Sequence, residues 1–239
     1  MIKDHPIFLE SIRFIKSNLI ENNFNYLENK VLERLVHTSG DFNIQKLLEF
    51  SDGACEKGVK SLKAGAPILT DTDMAAAAIK SMAKNTNGNS VVSAKHWFDD
   101  RDLSGLTKTA YGIEKGWIEL SAKNSGSQSP IIVIGSSPTA LVNLLEIIQN
   151  SQQIPSLIIG MPVGFIGVRQ SKNKLLKTNY PRIVMNSTRG GAAMAAAAIK
   201  SMAKNTNGNS VVSAKHWFDD RDLSGMTKTA YGIEKGWIE

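Results

Sequence analysis

The sequence predicts an α/β protein in which helices cover both faces of a mostly parallel central sheet, giving three layers, α/β/α. The first observation is that two short apolar runs, residues 131–134 and 157–159, each end at a glycine and are followed by helical periodicity. Continuous apolar runs are typical of parallel strands that are buried on both faces. The second observation is composition, because 42% hydrophobic residues can build a core and 21% charged residues argue against wholesale disorder.

The other elements follow from periodicity along the chain. Apolar side chains at helical spacing predict helices, and short apolar runs between polar turns predict strands. Helices are predicted at residues 6–20, 25–36, 52–62, 74–84, 107–121, 139–149 and 168–177, with a last one from 191 onward, and strands at 66–69, 90–95, 131–134, 157–159 and 183–185. In such a sheet, ligands bind outside the carboxyl ends of the strands.

A long segment of the chain occurs twice. Residues 74–119 reappear as residues 194–239 with one difference, Leu106 against Met226. Two distant and nearly identical copies do not fit a solenoid, which needs three or more stacked units with diverged ends. We therefore predict one domain over residues 1–204, followed by a tail, 205–239, that copies 85–119 and is not an independent domain.

Charge and cysteine content limit the partners and the compartment. The net charge is +6, but the basic residues are spread along the chain and no nucleic-acid-binding motif is present, so we expect no nucleic-acid partner. No apolar stretch approaches the ~20 residues needed to cross a bilayer, so we expect no membrane role. Cys55 is the one cysteine and cannot form an intrachain disulfide, and residues 1–5 lack a signal-peptide pattern. These features predict a cytoplasmic protein.

His37 is the strongest catalytic candidate in the sequence. It stands between an apolar run and a turn that is rich in small polar groups. Imidazole has an ordinary pKa near neutrality, so it gives or takes a proton without much tuning by its surroundings. Thr38, Ser39 and Asp41 can orient the ring or bind a substrate. A purely structural histidine beside an apolar run is the alternative that the spacing leaves open.

Two polar turns follow predicted strands. Thr70 and Asp71 follow one strand, and Ser136, Ser137 and Thr139 follow another. The backbone N–H groups of a helix N-terminus can hold a substrate carboxylate without any basic side chain, but the same residue types are also ordinary helix caps. Both interpretations remain open. No histidine or cysteine stands at ligand spacing beside the acidic residues, so we expect no bound metal.

Several segments in chain order carry a family resemblance. They are His5-Pro6 with Ser11, LVHTSGDF at 35–42, GAPILTDTDM at 65–74, TKTA at 107–110, VIGSSPTAL at 133–141, GMPVGFIG at 160–167 and RGG at 189–191. Each segment alone is common, whereas their ordered occurrence over residues 4–203 is specific. Together they resemble the precorrin-8X methylmutase family.

The resemblance implies an activity. Members of this family are isomerases of corrin (vitamin B12) biosynthesis, which move a methyl group on ring C of precorrin-8X or cobalt-precorrin-8 to give hydrogenobyrinate or cobyrinate. The resemblance therefore implies a polycarboxylate corrinoid substrate, no cofactor, and a homodimer with pockets near the subunit interface. His37, protonated, is then expected to be the acid that delivers a proton to a ring nitrogen.

The resemblance also implies further binding residues. Ser11 in the first helix, Lys108 at the start of a later helix, and Arg189 with Gly190 are expected at the substrate, although a plain tight turn also explains Gly190. Arg13 in the first helix is a further candidate, which can face either the pocket or the solvent. The family more often has arginine at the position of Lys108, so a bidentate grip on a carboxylate is replaced here by a point charge. Apolar walls are expected from the segment at 161–166, with Met161, Pro162, Phe165 and Ile166, but core packing explains the aliphatic members of this set equally well.

Two other classes of protein remain open from the sequence. A Rossmann-like nucleotide-binding enzyme shares the alternation of strands and helices, but no G-x-G-x-x-G follows a predicted strand. A non-catalytic corrin carrier keeps the pocket and does not need His37. His96 and His216 lie beside paired aspartates in the duplicated segment, but they match no catalytic position of the family, so we assign them no role.

Overall fold

Helices and strands alternate along most of the chain in the computed structural model, which describes residues 5–83, 86–98 and 105–207. The first helices and strand precede the alternating part. In chain order, the elements are α1 (Pro6–Asn18), α2 (Tyr26–Ser39), β1 (Leu48–Phe50), α3 (Ala54–Lys63), β2 (Ile68–Thr70), α4 (Asp73–Ala83), β3 (Val91–Ser93), α5 (Lys108–Lys123), β4 (Ile131–Ile134), α6 (Pro138–Gln149), β5 (Leu157–Gly160), α7 (Val168–Leu176), β6 (Arg182–Met185) and α8 (Ala192–Asn207).

The six strands form one sheet in the order β1-β6-β5-β4-β2-β3. Neighbouring strands are parallel, except that the edge strand β1 pairs antiparallel with β6. The predicted mostly parallel sheet is therefore confirmed. The register places Ile68 beside Ile131 and Ile131 beside Leu157, so the apolar runs lie side by side in the middle of the sheet.

Helices pack on both faces of the sheet and bury two separate apolar cores. Side chains alternate between the faces along each strand, so Ile131 and Val133 of β4 enter one core, while Ile132 and Ile134 enter the other. Helices α1, α2, α3, α4 and α8 cover the first core, and α5, α6 and α7 cover the second. This arrangement confirms the predicted three-layer α/β/α fold.

The strand order reverses between β2 and β4. From β2 the chain moves outward to β3, whereas from β4 it moves the other way through β5 to β6. In open α/β sheets, such a switch point leaves a crevice outside the carboxyl ends of the two strands. The turns that follow β2 and β4 carry the predicted site residues Asp71 and Ser136, and they meet at this crevice.

The predicted elements differ from the observed ones mainly at β1. This three-residue edge strand was not predicted, because its residues are too few to show an alternating pattern. The predicted strand at 90–95 is shorter, since residues 94–97 form a 3₁₀-helix. Of the predicted tail, residues 205–207 continue α8, and the rest lies outside the described residues. Within the described ranges, no helix combines the length and the apolarity that a membrane span requires.

Candidate active site

His37 lies in the last turn of α2, and cap residues fix both ends of that helix. The Asn25 side chain accepts hydrogen bonds from the backbone N–H groups of Leu27 and Glu28, and the Glu28 carboxylate accepts one from the Asn25 N–H. Gly40 ends the helix in the left-handed conformation, with φ of 66°, which glycine adopts without steric cost. The helix therefore stops where it presents His37 to solvent.

The surroundings of His37 disfavour its charged form. The ring of Phe8 packs edge-on against it, with the two ring centroids 5.1 Å apart. Partial burial lowers the pKa of His37 below its ordinary value, and the positive charges of Arg34 and Lys204 lower this pKa further. In the free protein, these effects favour the neutral ring.

A cavity of about 510 Å³ opens beside His37. We call it the histidine cavity. It lies between α1, the end of α2 and the segment that follows, and its walls are mainly apolar. It is lined by Ile7, Glu10, Ser11, Phe14, Ile15, Val36, His37, Gly40 and Phe42. The structure therefore brings Ser11 and His37, two of the predicted site residues, to one cavity.

A second cavity, of about 390 Å³, lies on the other side of α1, and we call it the basic cavity. Three helices, α1, α2 and α8, line it. Six cationic side chains surround it with one carboxylate: Arg13, Lys16, Lys30, Arg34, Lys200, Lys204 and Glu33. Lys30 and Lys16 pair with Glu33 at 3.0 and 3.6 Å. Basic residues that are scattered in the sequence are therefore gathered in space.

Phe8 connects the two cavities. The centroid of its ring lies 4.4 Å from Nζ of Lys204 and 5.4 Å from Cζ of Arg34, and the ring packs at 90° to the ring of His37. The cations therefore stack on the aromatic ring that also packs on the candidate acid. Phe8, Arg34 and Lys204 were not predicted as site residues from the sequence. The available signal was the spacing of cations four residues apart, at 30 and 34 and at 200 and 204, which places each pair on one helix face.

The hydroxyls that follow His37 bond to the end of their own helix. Thr38 Oγ1 donates to the Arg34 carbonyl at 2.8 Å. Ser39 Oγ donates to the Val36 carbonyl at 3.4 Å and accepts from the Asp41 N–H at 3.2 Å. Both hydroxyls are exposed and keep acceptor capacity, so their predicted contact with substrate stays a prediction.

Asp41 pairs with Arg189, and both are predicted site residues. One Asp41 oxygen accepts from the Asn43 N–H at 2.8 Å and the other bonds to Nη1 of Arg189. The pair joins the end of α2 to the loop between β6 and α8. Because about half of the Arg189 side chain is exposed, its remaining N–H groups can bind a further carboxylate.

Gly190 lets the loop pass close to the neighbouring backbone. Its φ is 155°, and an added Cβ would collide with the carbonyl oxygen of Met161. Gly191 donates its N–H to this same oxygen at 2.9 Å. The close approach seen here is therefore between two segments of the chain. Contact of Gly190 with substrate stays a prediction.

Thr70 and Asp71 are buried at the end of β2. Thr70 Oγ1 donates to the Thr72 carbonyl at 3.0 Å. One Asp71 oxygen accepts from the N–H groups of Ser136 and Ser137, at 2.6 and 2.9 Å, directly before α6 begins. Burial raises the pKa of Asp71, and these hydrogen bonds oppose that effect. A carboxylate of the chain itself thus bonds to the backbone directly before α6, where the sequence left substrate binding and helix capping both open.

The hydroxyls at the start of α6 form a short chain of hydrogen bonds. Ser137 caps the helix by accepting from the Ala140 N–H, at 3.2 Å, and its hydroxyl lies 3.0 Å from that of Thr139. Thr139 in turn bonds to the hydroxyl of Thr107, at 2.9 Å, and Thr107 caps α5 directly before the exposed Lys108. The start of α5 therefore lies against the start of α6.

The predicted residues fall into two groups in the fold. One group surrounds the end of α2 and includes Ser11, His37, Asp41 and Arg189. The other surrounds the starts of α5 and α6. Arg13 lines the basic cavity instead. Among the described residues, no three or more His, Cys, Asp or Glu side chains lie together as a metal site, and the expected absence of a metal stays a prediction.

Comparison with known proteins shows the family. The model of the family described as precorrin-8X methylmutase matches residues 6–205. The chain belongs to the precorrin-8X methylmutase family. It is therefore an isomerase of corrin biosynthesis, an enzyme that moves a methyl group within its substrate.

Individual relatives agree with the family match. A precorrin-8X methylmutase of Sinorhizobium is 34% identical, over 84% of this chain and 94% of the relative. A cobalt-precorrin-8 methylmutase of Synechocystis is 29% identical, over 83% of this chain and 94% of the relative. The crystal structure of a precorrin-8X methylmutase from Thermus thermophilus superimposes with a TM-score of 0.74 and 29% identity, covering 84% of this chain and 95% of that one. The fold and the family assignment therefore support each other.

Proposed function

We propose that this methylmutase moves the ring C methyl group of precorrin-8X or cobalt-precorrin-8, with His37 as the general acid. The observation that carries the proposal is the position of His37. It lies on the wall of the mainly apolar histidine cavity, and Phe8 connects it to the basic cavity with its six cationic side chains. An apolar cavity suits a flat macrocycle, and cations suit the carboxylates on its rim.

The charge of the basic cavity supports a polycarboxylate substrate. Six cations surround one carboxylate there, so a ligand that brings several negative charges improves the electrostatic balance. Arg189 adds a half-exposed guanidinium at the end of α2. Relatives of this chain are named for the metal-free and for the cobalt-bound substrate, and we propose that both classes be tested as substrates.

Substrate binding is proposed to charge His37. Burial lowers the pKa of His37 in the free protein, and the positive charges of Arg34 and Lys204 lower it further. Substrate carboxylates beside these cations offset their effect, which raises this pKa and favours uptake of a proton. The imidazolium then donates its proton to a ring nitrogen, the conjugated system becomes electron-poor, and the methyl group migrates to the adjacent carbon. The ring nitrogen then returns the proton to His37, so the product has the same mass as the substrate.

We further propose a cytoplasmic homodimer without a cofactor or a nucleic-acid partner. Exposed apolar side chains support an interface near the site, since Phe165 and Ile166 are 88% and 90% exposed after β5, and Phe14 is exposed on α1. The buried, unpaired Cys55 fits a reducing compartment. We also propose that residues 1–204 are the catalytic domain and that the tail at 205–239 contributes nothing to catalysis.

Turnover by histidine variants tests the proposed function. The absorption spectrum of each substrate is followed with the unchanged protein, with His37→Ala and with His96→Ala. His96 is the matched control, because it is exposed on the 3₁₀-helix at 94–97. We expect His37→Ala to lose ~10²- to 10⁴-fold in kcat, as general acids contribute, and His96→Ala to retain it. Binding without conversion by the unchanged protein would instead indicate a carrier.

A further inference from the structure

Lys172 is a buried cation on α7 for which no catalytic role has been assigned. Its side chain is 0% exposed. Nζ donates to two backbone carbonyls, those of Ser187 and Arg189, each at 2.7 Å. Among the described residues, none of the ion pairs brings a carboxylate to Lys172. A buried ammonium without a carboxylate is costly, so these two carbonyls are the groups that stabilise it.

The two carbonyls belong to the loop between β6 and α8, which carries Arg189. Backbone hydrogen bonds hold this loop on the side of β5, where Gly164 donates to the Thr188 carbonyl at 3.1 Å and Gly191 donates to Met161. Lys172 adds a side chain that binds the loop on both sides of Thr188. The backbone of Arg189 is therefore held from α7, while its guanidinium reaches Asp41.

We propose that Lys172 is a positioning residue, which holds the Ser187–Arg189 backbone so that the Arg189 guanidinium stays beside Asp41 and can bind a substrate carboxylate. This inference rests on the proposed function, in which Arg189 binds such a carboxylate. The line of contacts runs from α7 through the loop to Asp41, four residues after His37. Lys172 thus connects the second core of the protein to the candidate site.

The chemistry of lysine suits this position. An ammonium offers three donors that diverge from one atom, so it can bind two carbonyls of one loop at the same time. An apolar side chain of similar length fills the space but leaves both carbonyl oxygens without their donor. Burial lowers the pKa of Lys172 to about 8, so the group remains largely charged at pH 7.

The test combines kinetics with hydrogen exchange in Lys172→Met. We expect KM to rise about tenfold, the size of one lost hydrogen bond to a charged group, with a smaller change in kcat. Arg189→Ala raises KM as well, and the double variant should show no further rise beyond Arg189→Ala alone. Amide exchange at Arg189 and Gly191 should become faster in Lys172→Met without any substrate, so this readout does not depend on the proposed function.

Lys174→Met is the matched control, because Lys174 is an exposed lysine on the same helix that pairs with Glu146. It should change neither KM nor amide exchange in the loop. Additive effects of Lys172→Met and Arg189→Ala on KM, or unchanged exchange at Arg189 and Gly191, would overturn the inference. If Lys172→Met does not fold, Lys172→Gln replaces it, and smaller changes in the same directions are expected, because glutamine is shorter and uncharged but keeps donor N–H groups. Failure of the unchanged protein to convert substrate would concern the proposed function alone.

Discussion

Some residues of the candidate site could be predicted from the sequence and others could not. His37 could be selected from its sequence neighbours, because a histidine between an apolar run and a polar turn is a recognisable pattern. Phe8 and Lys204 could not, since they lie on α1 and α8, which reach His37 only through packing. Arg34 lies three residues before His37 on α2, so helical spacing alone brings these two side chains together. The expected protonated state of His37 also depends on these neighbours, which favour the neutral form in the free protein.

The pKa of His37 gives a prediction at this scale. An NMR titration of the free protein should give a midpoint for His37 below its ordinary value of about 6.5, because burial, Arg34 and Lys204 all disfavour the charged ring. Lys204→Gln should move the midpoint upward. Lys174→Gln removes an exposed charge elsewhere and should not move it. A midpoint above 6.5 in the unchanged free protein would contradict the account.

Substrate affinity should fall as pH rises. If the pKa of His37 is low in the free protein and raised in the complex, binding takes up a proton between these two values. Affinity is then greatest below the pKa of the free protein and falls as pH rises toward that of the complex. Calorimetry in buffers with different ionisation enthalpies measures the proton uptake, which should disappear in His37→Ala.

At the scale of helices and strands, the start of α6 shows a contact that was not predicted. The sequence left two interpretations for Ser136, Ser137 and Thr139, a substrate-binding helix N-terminus or ordinary caps. The Asp71 carboxylate, at the end of β2, accepts from the N–H groups of Ser136 and Ser137 directly before the helix. This contact could not be foreseen, because it depends on β2 lying beside β4, a pairing between segments more than 60 residues apart.

Removal of the Asp71 carboxylate should destabilise the fold. Asp71→Ala leaves the half-buried N–H groups of Ser136 and Ser137 without the acceptor that the buried Asp71 provides, so we expect a loss of about 1–3 kcal/mol in the free energy of unfolding. Asp71→Asn keeps one acceptor oxygen and should lose less. Asp52→Ala, in an exposed turn, is the control and should stay within about 0.5 kcal/mol. Equal losses for Asp71→Ala and Asp52→Ala, measured by urea denaturation, would argue against this role.

At the scale of the whole molecule, the layers of the fold could be predicted, because they follow from local sequence patterns. Continuous apolar runs predicted the parallel strands β4 and β5, and helical periodicity predicted layers on both faces. The strand order and the antiparallel edge strand β1 were not predictable, because pairing is decided by tertiary packing and three residues show no period. The six cations around the basic cavity come from three helices, so their clustering could not be predicted from the sequence.

The most direct test of the central claim follows a labelled methyl group. The substrate carries ¹³C in the ring C methyl group that migrates, and the reaction is followed by NMR and mass spectrometry with the full chain and with a chain ending at Asn207. We predict that the label moves to the adjacent ring carbon, that the mass is unchanged, and that both chains catalyse the conversion. A label that stays on its original carbon while the substrate remains bound, or a product of different mass, would contradict the assignment of this chain as the methylmutase.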